Sequence, residues 1–181
     1  MSTDWRLKGK VWMFGDDINT DYMMPGFTPR GLSMRERTLY CMRANRPGWA
    51  EQVQKGDIIM GGRNFGCGSN RPAANMLKLL GLSVLVADSI NSLMLRNCAN
   101  FAMPALPCPG VSKAFKDGDI AEVDISKGVV NNLTTGVVIT TYSLPRFLLD
   151  ILEAGGLVPM LIKNGYIERE EAKEEAVPTS E

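Results

Sequence analysis

Asp57-Ile58-Ile59-Met60-Gly61-Gly62-Arg63-Asn64-Phe65-Gly66-Cys67-Gly68-Ser69-Asn70-Arg71-Pro72-Ala73-Ala74-Asn75-Met76-Leu77-Lys78-Leu79-Leu80-Gly81 is the stretch on which the fold turns. Its first four residues form a short apolar run and read as a buried strand. A loop with four glycines between Gly61 and Gly68 follows. Pro72 suits the first residue of a helix, because a proline has no amide to lose there. That helix runs through Leu80 and stops at Gly81, the usual left-handed terminator. Strand, glycine loop and helix in this order form one half of a parallel α/β unit.

The flanking sequence extends the pattern in both directions. Upstream, Lys10–Phe14 reads as a strand that empties into a polar loop, Gly15-Asp16-Asp17-Ile18-Asn19-Thr20-Asp21-Tyr22-Met23-Met24-Pro25. Ser33 is an N-cap for a helix predicted to reach Ala44, and Trp49–Gln54 reads as a short helical stretch. Downstream, Ser83–Ala87 is an apolar strand, and Asp88 or Ser89 caps a helix over residues 90–101. Beyond Pro109 the pattern changes. Ile120–Ile125, Gly128–Val130 and Gly136–Thr141 read as antiparallel strands joined by tight turns, and Leu144–Ala154 and Gly156–Asn164 as closing helices. The expected architecture is a single α/β domain over residues 1–165, with mixed parallel and antiparallel sheet layers and flanking helices. A charged tail is expected over 166–181.

Composition narrows the chemistry. Of 181 residues, 45% are hydrophobic and 22% charged, as in an ordinary globular protein. Twenty basic residues balance twenty acidic ones, so no global field draws the chain to nucleic acid or to an anionic membrane. No window approaches the ~20 apolar residues of a membrane span. The N-terminal Met1–Lys10 carries charges where a signal peptide needs an apolar stretch, so a cytoplasmic protein is expected. Histidine is absent, which excludes a self-contained Ser-His-Asp or Cys-His hydrolase. The four cysteines, Cys41, Cys67, Cys98 and Cys108, form no CxxC pair, so no metal site is expected in this chain alone.

Two loops remain as carriers of chemistry. The first, residues 15–25, reads most simply as turns that satisfy their own amides. It lacks the sixth-position glycine and the distal glutamate of an EF-hand loop. The second, residues 61–71, opens onto a helix N-terminus, where free amides and the helix dipole favour an anion. With Ser69 and Arg71 at that junction, it reads as a cradle for a carboxylate or phosphate, the arginine supplying a bidentate contact. It matches neither a Walker A loop nor GxGxxG. The alternative is a glycine-rich connection with a surface arginine.

The ordered pair GDDINTDYMMP and GGRNFGCGSNR resembles the small-subunit pattern of the aconitase and isopropylmalate isomerase family, which includes homoaconitase. The downstream VLVADSINSLMLRNCANFAMPAL is similar to the family's next strand, serine-started helix and R-N-x-x-N segment. The likeness is close over residues 8–110 and holds in general layout over 111–165.

The resemblance implies a swivelling α/β domain that closes over a [4Fe-4S] cluster held by a separate large subunit. The implied reaction is reversible dehydration and isomerisation of a substituted malate, 3-isopropylmalate by default, as in leucine biosynthesis. Homoaconitate-type and 2,3-dimethylmalate-type dehydratases are the alternatives, and a non-catalytic anion-binding module of the same fold is a further one. By the same resemblance Ser69 is the base, and Arg71 grips a substrate carboxylate. Thr20 and Asp21 line the pocket, and Cys67 is packing. Asn70 replaces the family's second serine as a substrate contact, and Pro72-Ala73 replaces a Glu-His pair. Arg30 falls where the homoaconitase type carries an arginine for an extra carboxylate. It reads equally as a solvent-facing arginine in a turn, and Met23, Met24 and Phe27 read as either core or pocket lining.

Overall fold

The computed structural model describes residues 4–26, 28–68 and 71–168. Seven strands form one sheet in the order β4-β3-β2-β1-β5-β6-β7. Four of them, β1 (Arg6–Met13), β2 (Ile58–Gly61), β3 (Val84–Ala87) and β4 (Ala105–Pro107), run parallel. On the other side of β1, β5 (Ile120–Asp124), β6 (Val129–Asn132) and β7 (Val138–Thr140) continue the sheet antiparallel. β1 therefore joins the two halves into one mixed sheet, as the change of pattern after Pro109 leads one to expect.

Register follows from burial on both faces. Every residue of β2 and β3 is buried, so these strands read as unbroken apolar runs instead of alternating ones. Trp12, Ile59 and Leu85 point into one core with Leu77 and Met94. Val11, Ile58, Met60, Val84 and Val86 point into the other, against Val111, Phe115 and Leu149. Each fully buried side chain of this size contributes about 1.5–3 kcal/mol, so a slip of one residue would misplace the whole set.

The first core is covered by α3 (Ala73–Leu80) and α4 (Ser92–Asn100). α3 ends on Gly81 at φ 108°, the left-handed terminator read from the sequence. Five further helices lie among the described residues: α1 (Thr20–Met23), α2 (Met34–Arg37), α5 (Val111–Ala114), α6 (Arg146–Glu153) and α7 (Leu157–Lys163).

Three local expectations differ from the structure. Ser33 does cap α2, in a reciprocal capping box with Glu36, but the helix ends at Arg37 and tightens into a 3-10 turn over Thr38–Tyr40. It does not reach Ala44, because Met42 takes a positive φ of 58° and donates its amide to the Tyr22 carbonyl at 2.6 Å. A tertiary hydrogen bond has replaced the next helical one. Trp49–Gln54 forms turns instead of a helix, anchored by Trp49, which is wholly buried against Phe14 and Trp12.

α4 is capped by Asn91, whose side chain accepts from Leu93 N at 3.0 Å. The two expected caps are engaged elsewhere. Asp88 accepts from the amides of Gly110 and Ser112 and from the Ser112 hydroxyl, while Ser89 Oγ accepts from Asn64 N. Of the expected charged tail, residues 169–181 lie outside the described residues.

Candidate functional site

The two loops singled out in the sequence lie side by side at the carboxyl ends of β1 and β2, the usual place for a site on a parallel sheet. They are laced together like further strands. Gly62 N donates to Gly15 O at 3.1 Å, Asp17 N to Arg63 O at 2.8 Å, Gly66 N to Ile18 O at 2.7 Å, and Thr20 N to Cys67 O at 2.8 Å. On its other side the second loop pairs with the segment after β3, through Phe65 N to Ser89 O and Asn91 N to Phe65 O. This close lacing explains the glycines. A side chain at Gly68, whose φ is 106°, would run into Asn19, and one at Gly66 would run into Met94.

Charge reinforces the lacing. The Asp16 carboxylate accepts from the Arg63 amide at 2.7 Å and from its guanidinium at 2.9 and 3.1 Å. These bonds, the backbone amide first, hold its pKa below the ordinary carboxylate value. Asn19 caps α1 and accepts from Asp21 N at 2.8 Å. Asn19 therefore satisfies the Asp21 amide within the first loop, whereas the Asp17 and Thr20 amides are taken by the second loop.

A second ion pair joins the loops. Arg71 Nε lies 2.6 Å from Asp21 Oδ1. Arg71 Nη1 also points to the Met24 carbonyl, at a longer 3.4 Å. Gly26 lies against the terminal nitrogens: a Cβ built on it would stand 3.4 Å from Nη2 and 3.6 Å from Nη1. The Arg71 side chain is 38% exposed. Asp21 thus stands at the Nε edge, and Met24 and Gly26 stand beside the terminal nitrogens.

The helix N-terminus differs from the sequence expectation. Pro72 stands at the N-cap position instead of first in the helix and supplies no side-chain cap. The amides following it are not free for an anion. Ala73 N donates to Arg71 O, Ala74 N to Asn97 Oδ1, and Asn75 N to Pro72 O. The tight turn at Arg71–Pro72 folds these donors back onto the chain, leaving Arg71 as the described cation of the cradle.

Thr20 is buried, and its amide closes the lacing to Cys67. Met23 is wholly buried and belongs to the core, whereas Met24 is half-buried. Arg30 is exposed, in a turn followed by Gly31 at φ 83°. Ser69, Asn70 and Phe27 lie outside the described residues. Asn97 had no role in the reading of the site beyond its place in the R-N-x-x-N segment, yet its side chain reaches the Arg71 main chain.

Among the described residues no three His, Cys, Asp or Glu side chains converge as a metal site. Cys41 and Cys98 lie in the first core and Cys108 in the second. Burial pushes the thiols up, to about 12 for Cys98 and about 11 for Cys108, and Cys41 further still. Thiols so held are poor sources of thiolate, so the described residues of this chain do not fit the holding of an iron-sulfur cluster. No helix among the described residues is long and apolar enough to cross a membrane.

Comparison with known proteins fits this geometry. The family model for the aconitase C-terminal domain matches residues 42–109. The isopropylmalate/citramalate isomerase small subunit of Methanocaldococcus jannaschii is 40% identical over 158 residues, which cover 87% of this chain and 94% of that one. The chain belongs to the 3-isopropylmalate dehydratase small-subunit family. Another member of this family, the methanogen homoaconitase small subunit of Methanothermobacter thermautotrophicus, is 39% identical over 159 residues, covering 87% of this chain and 91% of its own. A crystal structure of 3-isopropylmalate dehydratase from Methanocaldococcus jannaschii superposes with a TM-score of 0.82 at 32% identity, covering 90% of this chain and 97% of that one. The family's mixed α/β fold is thus the fold of this chain.

Proposed function

We propose that this chain, with residues 1–165 as its swivel-like domain, is the small subunit of a cytoplasmic two-subunit hydro-lyase. The reading is that it reversibly dehydrates and isomerises a substituted malate, with 3-isopropylmalate as the default substrate. The observation that carries the reading is the Arg71–Asp21 pair at 2.6 Å. It ties both loops together and sets the terminal nitrogens of Arg71 beside Gly26.

In this reading Arg71 binds a substrate carboxylate through Nη1 and Nη2, and Asp21 holds the guanidinium plane. Asn70 and Thr20 contribute at the pocket wall. Ser69 Oγ takes the proton from the carbon next to the bound carboxylate. A serine hydroxyl needs its alkoxide stabilised for that task, and the positive charge of Arg71, two residues along the chain, is assigned that role. The leaving hydroxyl departs toward the partner. A large subunit carrying a [4Fe-4S] cluster is assigned there, and the cluster when bound supplies the Lewis acid.

The test is reconstitution with such a large subunit under anaerobic conditions. The chain alone is expected to be inactive, and the pair active on 3-isopropylmalate. Ser69→Ala is expected to lower kcat by about two to four orders of magnitude with folding and partner binding intact. Arg71→Lys is expected chiefly to raise KM, because a point charge cannot replace the planar fork. Turnover by the isolated chain, or near-normal kcat in Ser69→Ala, would remove the assignment.

A second reading, a homoaconitate-type substrate, stands at nearly the same overall likeness. The relative named for that activity is 39% identical, against 40% for the isomerase relative. Overall likeness therefore does not choose between alkyl and carboxyalkyl malates, and a panel of both classes assayed on the reconstituted pair does.

A further inference from the structure

Asn97 sits within α4 on the face turned to α3 and is 8% exposed. Both ends of its amide are used. Oδ1 accepts from Ala74 N at 3.0 Å, and Nδ2 donates to the Arg71 carbonyl at 3.1 Å. The two bonds land on either side of Pro72, which brings neither an amide nor a capping side chain to the start of α3. The network fixes the orientation of the amide, since only its oxygen can accept from the Ala74 N–H, while the Arg71 carbonyl, which also accepts from Ala73 N, takes the Nδ2 donor.

A cap for α3 requires only the first bond. The second goes beyond the helix, to the main chain of the residue whose guanidinium pairs with Asp21. Arg71 is thereby pinned twice, at its backbone by Asn97 and at its side chain by Asp21. A buried amide with both ends satisfied holds one geometry, because any shift strands a buried donor or acceptor.

We infer that Asn97 is a positioning residue for carboxylate binding, acting through Arg71 by setting the point from which the guanidinium enters the site. The inference rests on the reading of Arg71 as the carboxylate clamp. No other side chain of similar size performs both tasks. Leucine offers no polar atom, and aspartate keeps the acceptor for Ala74 but turns a second oxygen toward the Arg71 carbonyl.

The experiment is a double-mutant cycle in the reconstituted two-subunit enzyme, with 3-isopropylmalate as the probe. Asn97→Asp alone is expected to raise KM about tenfold while changing kcat by less than about threefold, the mark of a displaced binding group. In the Arg71→Lys background the same substitution is expected to change KM by less than about twofold, because the clamp it positions is already lost. Should Asn97→Asp fail to fold, Asn97→Ser, whose hydroxyl can serve only one of the two bonds, is taken through the same cycle. An equal KM effect in both backgrounds, or none in the single variant, overturns the positioning role and leaves the clamp standing. If Arg71→Lys itself leaves KM unchanged, the clamp reading fails and the positioning role fails with it.

Discussion

Arg71 and Asp21, one at the end of the glycine loop and the other in the first turn of α1, meet with Nε and Oδ1 2.6 Å apart. The pairing sets the forked end of the guanidinium beside Met24 and Gly26. It also makes the position of that fork depend on the first loop, since Asp21 is held by α1 and α1 by Asn19. Binding and loop structure are therefore one problem in this site.

Removing the charge of Asp21 should loosen the fork without removing it. Asp21→Asn keeps an oxygen facing Arg71 Nε but loses the charge of the ion pair. Steady-state kinetics of the reconstituted enzyme should show KM raised about tenfold, or ~1.4 kcal/mol, with a smaller change in kcat. A large fall in kcat at unchanged KM would instead place Asp21 in the chemical step.

Gly26 is expected to matter for what it lacks. A Cβ there falls at 3.4 Å from Arg71 Nη2, so Gly26→Ala should be tolerated. Gly26→Val adds two methyl groups against the flank through which a carboxylate approaches. Its KM should rise about tenfold or more, with melting temperature nearly unchanged. Equal KM values in the alanine and valine variants would show that ligand reaches Arg71 from elsewhere.

Arg30 offers a test of substrate choice. It is exposed, in a turn closed by Gly31, and this placement favours a solvent-facing side chain. Arg30→Val is accordingly expected to leave the ratio of kcat/KM for homoaconitate-type and alkyl malates within about twofold, because exposed charges couple weakly to a bound ligand. A shift toward alkyl malates would put Arg30 at the pocket and favour a tricarboxylate substrate.

A pH dependence of stability should arise away from the site. Asp117 accepts two bonds from the Arg46 guanidinium at 2.7 and 2.8 Å and one from Met13 N at 3.0 Å. The Arg46 bonds above all hold its pKa below the ordinary 3.8. A depressed carboxylate stabilises the fold above its unfolded pKa, and that stabilisation fades as pH falls through the lower folded value. Denaturant melts of wild type and Asp117→Asn should differ by about 1 kcal/mol or less near neutrality, given the partial exposure, and converge in strong acid. A constant difference across that range would mean that Asp117 acts through packing.

Much of the sheet was legible because strands such as Ile58–Gly61 and Val84–Ala87 are apolar runs buried on both faces and bounded by glycine or polar residues. The segments that misled were those in which a local signal met a tertiary competitor. Ser33 starts a helix as its chemistry demands, but the chain leaves it near Met42, whose amide is needed by Tyr22. Asp88 and Ser89 are good caps by composition, yet their oxygens are taken by Ser112 and Asn64. Local propensity amounts to a few tenths of a kcal/mol per residue, so one buried contact of about 1 kcal/mol reverses it.

The sequence by itself placed two polar loops in a parallel α/β unit, with Arg71 where the second loop meets its helix. It also pointed to the family, through two motifs in a fixed order. Only the tertiary structure decided what Arg71 does with each of its edges. Asp21 takes the Nε edge, Asn97 holds the main chain, and the first-turn amides of α3, which the sequence offers to an anion, are bonded within the protein. The reason is geometric. Motif spacing states which donors and acceptors exist, but their partners are set by distances of about 3 Å between segments remote in the chain. Those distances are fixed by the packing of α3 and α4 on the sheet.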